Sequence, residues 1–206
     1  MALLLGLSRQ VTMAHNFIHE GKWAQGAKFP LGSKVSGKKL GILGLGRIGK
    51  AVAARASGFD MPIYYYDRFS QDERYTKVDS LLDLAKAVDY LVVCAAATEE
   101  NRNMVNAQVL EALGSKGCLI NIARGSLVDE DALCQAIEKG VIKGAALDVF
   151  ASEPHVPEAL LNRNNVIVTA HIASGTVETR KQMADIVNAN FKAFLEGTPM
   201  PTKLKL

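Results

Sequence analysis

Three side chains suited to proton transfer or anion binding each follow an apolar run of strand length. Arg124 lies in Ala123-Arg-Gly-Ser-Leu-Val-Asp129, after the run ending at Ile122. Glu153 lies in Ala151-Ser-Glu-Pro154, after Leu147-Asp-Val-Phe150. His171 lies in Ala170-His-Ile-Ala-Ser174, after Val168-Thr169. Singly each has an ordinary explanation: a surface ion pair, a turn before a proline, a satisfied half-buried imidazole. Together they hold the parts for reducing a 2-keto acid. A guanidinium grips a carboxylate through two parallel hydrogen bonds. An imidazole titrates in the range suited to protonating a carbonyl oxygen. A carboxylate beside it holds the ring and raises its pKa.

The sequence also offers a place for a hydride carrier. Lys39-Leu-Gly-Ile-Leu43 is a short apolar run, and Gly44-Leu-Gly-Arg-Ile-Gly49 after it fits G-x-G-x-x-G. From Arg47 the apolar spacing becomes helical, through Ile48, Val52 and Ala56. Strand, glycine turn and helix in this order is the context a dinucleotide site needs. Gly44 permits the tight turn, Gly46 lets a pyrophosphate approach the main chain, and Gly49 lets helix and strand pack closely. The helix start then points free N–H groups at the phosphates. Asp67 follows Gly49 by 18 positions, at the end of Ile63-Tyr-Tyr-Tyr66, where an acid binds the adenosine ribose; its plain alternative is a strand-end turn. A carboxylate there repels a 2′-phosphate, so the reading is NAD ahead of NADP, although Arg68 beside it offers a cation to that phosphate.

The elements around these residues alternate. Apolar runs predict strands over 40–43, 62–66, 90–95, 118–122, 144–149 and 166–169, the central ones continuous, as in strands buried on both faces. Helical spacing covers 47–58, 80–87, 106–113, 129–139 and 176–196, and one helix is expected from Ala2 to about Glu20. Residues 70–77 are polar and read as loop. Strand–helix alternation means parallel units with right-handed crossovers, hence an α/β Rossmann-type, doubly wound, three-layer fold. Ligands in such sheets sit outside the carboxyl ends of the strands.

Net charge is +3 with both signs mixed, which implies no nucleic-acid or membrane surface. Cys94, Cys118 and Cys134 show neither metal spacing nor a paired framework, consistent with reduced thiols in a cytoplasm. The apolar start, Ala2 to Leu7, is too short to span a membrane.

The glycine turn, Ile120-Asn-Ile-Ala-Arg-Gly-Ser-Leu-Val-Asp129, Ala146-Leu-Asp-Val-Phe150 with Glu153-Pro154, and His171-Ile-Ala-Ser174 together resemble the D-isomer-specific 2-hydroxyacid dehydrogenase family. Gly175-Thr-Val-Glu-Thr-Arg180 and Met183-Ala-Asp185 are similar to its glyoxylate/hydroxypyruvate and hydroxyphenylpyruvate reductase branch. The resemblance implies that Arg124 anchors a small 2-keto or 2-hydroxy acid and that His171 is the acid/base, with Glu153 its partner. It implies that Asp148 holds the nicotinamide carboxamide and that Arg47 and Ile48 meet the pyrophosphate. Ile122, Ala123 and Arg124 would flank the nicotinamide ribose, with Cys94, Ala95, Thr98, His171 and Ala173 completing the cofactor contacts. The family usually has Thr-Pro-x-Thr after the third cofactor strand. Here Thr98-Glu-Glu-Asn101 keeps only the first threonine, which puts that loop's shape in question. Members usually carry an N-terminal substrate domain as well. By that comparison residues 1–206 are one dinucleotide-binding domain with interdomain helices at about 1–20 and 176–196. Weak turnover alone and a homodimer are then expected. Two other classes share parts of the pattern. A nucleotide-sensing, corepressor-like module keeps similar site residues, and a methyltransferase uses a similar glycine turn but gives Arg124, Glu153 and His171 no joint role.

Overall fold

Runs of apolar residues with no polar face build the centre of a sheet. β1 (Leu40–Leu43), β4 (Tyr90–Val93), β5 (Cys118–Asn121) and β6 (Gly144–Leu147) are buried at every position. β2 (Ile63–Tyr66) alternates buried and half-buried residues, and the edge strand β7 (Val166–Val168) is half-buried throughout. With β3 (Thr76–Lys77) they form one seven-stranded parallel sheet in the order β3-β2-β1-β4-β5-β6-β7. The computed structural model describes residues 1–202.

Side chains of each central strand alternate between two cores, as the pleat requires. Leu91, Val93 and Leu119 join α4 (Leu81–Ala87), α5 (Ala107–Leu113) and α6 (Glu130–Glu138) on one face. Tyr90, Val92 and Ile120 join α1 (Ala2–Arg9) and α3 (Arg47–Ser57) on the other. Helices on both faces of a parallel sheet make the expected three-layer Rossmann-type architecture. The chain runs outward from β1 to β2 and β3, then returns to place β4 on the opposite side of β1. That reversal opens a crevice at the carboxyl ends of β1 and β4.

The single helix expected from Ala2 to Glu20 is two. Gln10 adopts a left-handed backbone (φ 55°, ψ 40°) between α1 and α2 (Val11–His19). Burial of Leu4 and Leu7 against β6 and β7 fixes the course of α1. The chain then turns at Gln10, and no residue of α2 is buried. No glycine or proline marks this break. Residues 70–77, expected as loop, contain β3, which pairs with Tyr64 and Tyr65.

Two compact units divide the chain. Met1–Ala170 holds the whole sheet, and His171–Leu206 is the second unit. The second is built on α7 (Val177–Leu195), whose Thr176 cap accepts from the Thr179 amide at 3.1 Å. Asn190 accepts from the Thr202 amide at 3.1 Å and so ties the following turn back to the helix. Among the described residues no helix is long and apolar enough to cross a membrane. No group of three or more His, Cys, Asp or Glu is placed there to hold a metal.

Candidate functional site

The glycine turn is set by contacts that leave no room for side chains. Gly44 stands at φ 91°, and a Cβ there would lie 2.6 Å from the main chain of Ala95. A Cβ on Gly49 would lie 2.2 Å from the Gly44 carbonyl oxygen, so this glycine draws α3 onto β1. Gly46 differs: a Cβ there meets nothing within 4 Å. Its backbone (φ −74°, ψ −162°) is open to any residue, so the fold does not require glycine at 46. A ligand approaching the main chain would.

The helix behind the turn is left uncapped. Ser80, Asn106 and Asp129 each accept an amide at the starts of α4, α5 and α6. No side chain does so for α3. Its first N–H groups therefore suit an anion. In front of them lies a cavity of about 790 Å³. Of the residues that the sequence reading assigns to cofactor contacts, Gly44, Gly46, Arg47, Ile48, Asp67, Arg68, Cys94, Ala95 and Thr98 line it. Gly49 lies behind the turn, among the buried residues of α3.

Asp67 is clamped. One carboxylate oxygen accepts from Leu45 at 2.7 Å, and the other accepts from Phe69 and Ser70 at 2.8 and 2.7 Å. Burial pushes its pKa up, but the amides of Ser70, Phe69 and Leu45 and the charge of Lys77 outweigh this and hold it below the usual carboxylate value. The acid thus ties the β2 end to the glycine turn besides facing the cavity. A depressed folded pKa gives stability that is full above the ordinary aspartate value near 3.9 and is lost as pH falls through the folded value. Asp67→Asn should cost about 1 kcal/mol at neutral pH, discounted for its exposure. That difference should shrink below the ordinary aspartate range in urea unfolding run as a pH series. A gap constant with pH would contradict the clamp.

The departure at Thr98-Glu-Glu-Asn101 is repaired locally. Asn101 accepts from the Thr98 amide at 2.8 Å and donates to the Ala96 carbonyl at 2.8 Å. With the Thr98 side chain accepting in return, it closes a capping box around the 3-10 turn Glu99–Asn101. Glu99 faces away from this job and pairs with Arg102 at 3.0 Å.

Ile122, Ala123, Arg124, Asp148 and Glu153 do not line that cavity. They sit at the carboxyl ends of β5 and β6, farther along the same edge, since all strands run parallel. Asn121, 1% exposed, folds this corner. It accepts from the Ala123 amide at 3.0 Å and donates to the Arg124 carbonyl at 2.9 Å. The Arg124 side chain emerges exposed, donating to the Ala123 carbonyl at 2.6 Å. Asp148, 1% exposed, accepts from the Thr169 hydroxyl at 2.6 Å. Glu153 accepts from the Phe150 amide at 3.1 Å, and Glu130 accepts from the Ala151 amide at 3.0 Å. Asn121, Thr169 and Glu130 were not singled out by motif. A buried asparagine ending an apolar strand is the one signal among them.

Gly125 joins the β5 and β6 loops. A Cβ there would stand 1.9 Å from the Phe150 carbonyl carbon and 2.4 Å from the Ala151 nitrogen. Both obstacles are main chain, so Gly125→Ala should cost about 3 kcal/mol or more in urea unfolding. A loss under about 1 kcal/mol would contradict this packing. His171 and Ala173 open the second unit, where His171 is exposed with a left-handed backbone (φ 52°).

Comparison with known proteins agrees with this fold. Residues 1–173 match the family model described as D-isomer specific 2-hydroxyacid dehydrogenase, NAD binding domain. Glyoxylate/hydroxypyruvate reductase A of Arabidopsis thaliana is 48% identical over 203 residues, covering 98% of this chain and 64% of that protein. Hydroxyphenylpyruvate reductase of Plectranthus scutellarioides is 46% identical over the same shares. Two solved structures superpose with TM-scores of 0.93. A 2-hydroxyacid dehydrogenase from Ketogulonicigenium vulgare Y25 is 42% identical, covering all of this chain and 65% of that one. An NADPH-dependent glyoxylate/hydroxypyruvate reductase from Sinorhizobium meliloti, in complex with NADP and malonate, is 43% identical, covering 98% and 64%. The chain thus spans about 64% of the length of the two curated relatives named.

Proposed function

The chain belongs to the D-isomer-specific 2-hydroxyacid dehydrogenase family, and from that premise we propose that it serves the reduction of a small 2-keto acid to the 2-hydroxy acid. Glyoxylate and hydroxypyruvate are the proposed substrates, after the relatives' names. The observation that carries the cofactor reading is Gly46, a glycine the fold does not need, before an uncapped helix and beside a clamped acid. The amides of the glycine turn and the start of α3 would hold the pyrophosphate. Asp67 would accept from the ribose hydroxyls and disfavour a 2′-phosphate, so the proposed cofactor is NAD. When bound, the nicotinamide supplies the hydride that the carbonyl carbon accepts. Arg124, Glu153 and His171 are the proposed catalytic set. Arg124 grips the substrate carboxylate through its guanidinium fork, His171 gives a proton to the carbonyl oxygen, and Glu153 supplies the set's carboxylate. Asp148, fixed by Thr169, is proposed to take the carboxamide.

The test is a panel of 2-keto acids scored for NADH oxidation with the complete protein. Oxidation with glyoxylate or hydroxypyruvate, absent with acids lacking the keto group, is the expected result. Dinucleotide binding with no turnover of any member would favour the sensing module instead.

The chain is further proposed to act in the cytoplasm and as a homodimer. Val11 and Ile18 of α2 are about half exposed. A groove of about 610 Å³ runs between α2 and the edge strand β7. Sedimentation as a monomer at micromolar concentration would contradict the pairing.

A further inference from the structure

One side chain at the adenosine end is already engaged. Arg68, just past β2, and Glu100, in the turn after β4, both line the cavity. Arg68 Nη1 lies 3.4 Å from Glu100 Oε2, so the pair bridges the two loops that flank this end. Asp67 next to Arg68 has both oxygens committed to backbone amides, and the guanidinium pairs across the cavity with Glu100.

We infer that Glu100 is a specificity-determining residue that withholds Arg68 from a 2′-phosphate and so selects NAD over NADP. The inference deepens the proposed cofactor reading and rests on it. Without Glu100, one guanidinium would stand beside one carboxylate, with its donor fork open to a phosphate. With Glu100, that guanidinium is paired across the cavity, and a second carboxylate besides Asp67 lines this rim. A 2′-phosphate must then meet a like charge and also displace an ion pair. Glu100 adds to the repulsion proposed for Asp67, whose charge is spread over three amide donors and which has a cation for a neighbour. Both side chains of the pair are exposed, 58% for Arg68 and 80% for Glu100. The pair therefore adds little to stability, and its effect on an anion is screened by salt.

NADH and NADPH are titrated separately, by fluorescence or calorimetry, into the unsubstituted chain, Glu100→Gln and Glu100→Gln/Arg68→Ala. Removing one charge a few ångströms from a phosphate should raise the NADPH-to-NADH affinity ratio about tenfold in Glu100→Gln. The rise should vanish in the double variant and shrink at about 0.5 M salt. A ratio that moves less than about twofold, or a rise that survives loss of Arg68, would overturn the inference alone. No NADH binding by the unsubstituted chain would overturn the cofactor reading, and this inference with it.

Discussion

Gly46→Val is expected to weaken NADH binding on the order of 100-fold, near 2.7 kcal/mol, while leaving the fold standing. The two halves of this prediction come from one observation. A Cβ at 46 meets no protein atom within 4 Å, and the backbone there is extended, which a β-branched residue accepts. Urea unfolding should therefore move by under about 1 kcal/mol. The added methyl groups enter the cavity at the start of α3, where the main chain must come within hydrogen-bond distance of a phosphate. Gly49→Ala supplies the contrast. Its Cβ would lie 2.2 Å from the Gly44 carbonyl oxygen, and it should cost about 3 kcal/mol of stability. Two glycines three positions apart thus separate into one required by a ligand and one required by packing. If Gly46→Val unfolded the chain, or bound NADH normally, the turn would have a purely structural role.

His171→Ala is expected to lower turnover of glyoxylate or hydroxypyruvate by about 10²–10⁴-fold, the usual contribution of a positioned acid or base, while NADH binding persists. The proton that goes to the carbonyl oxygen then has to come from water. His171→Gln keeps much of the size and hydrogen-bonding capacity but cannot supply that proton, so it should share the defect. Stopped-flow or steady-state NADH oxidation measures both effects. Turnover retained to within about tenfold in either variant would remove His171 from the proposed set.

Much of the sheet was legible because its residues answer to one constraint at a time. Continuous runs such as Tyr90–Val93 mean burial on two faces, and they are strands. Helical spacing was read to begin at Ser80, Asn106, Asp129 and Thr176, and each of these is the cap of its helix. The glycine turn was legible because close packing and positive φ leave few alternatives to glycine. Features set by two distant constraints were not legible. Gln10 turns left-handed because α1 must bury Leu4 and Leu7 while the chain beyond leaves the core, and nothing about glutamine announces that. β3 exists because Tyr64 and Tyr65 offer an edge, not because Thr76 and Lys77 favour a strand. At Asp67 the position and charge were read from spacing, but the three-amide clamp was not, since it depends on where Leu45, Phe69 and Ser70 return in space. The loop at Thr98 shows the opposite case. A departure from the family pattern put its shape in question, and Asn101 supplies the missing hydrogen bonds with different chemistry.

Hydrogen–deuterium exchange with and without NADH bears most directly on the claim that the crevice beside β1 holds a dinucleotide. Slowed exchange at residues 44–49, 67–70 and 94–101, the segments around the cavity, is the predicted result. Unchanged exchange there at saturating NADH, or protection confined to other segments, would contradict it.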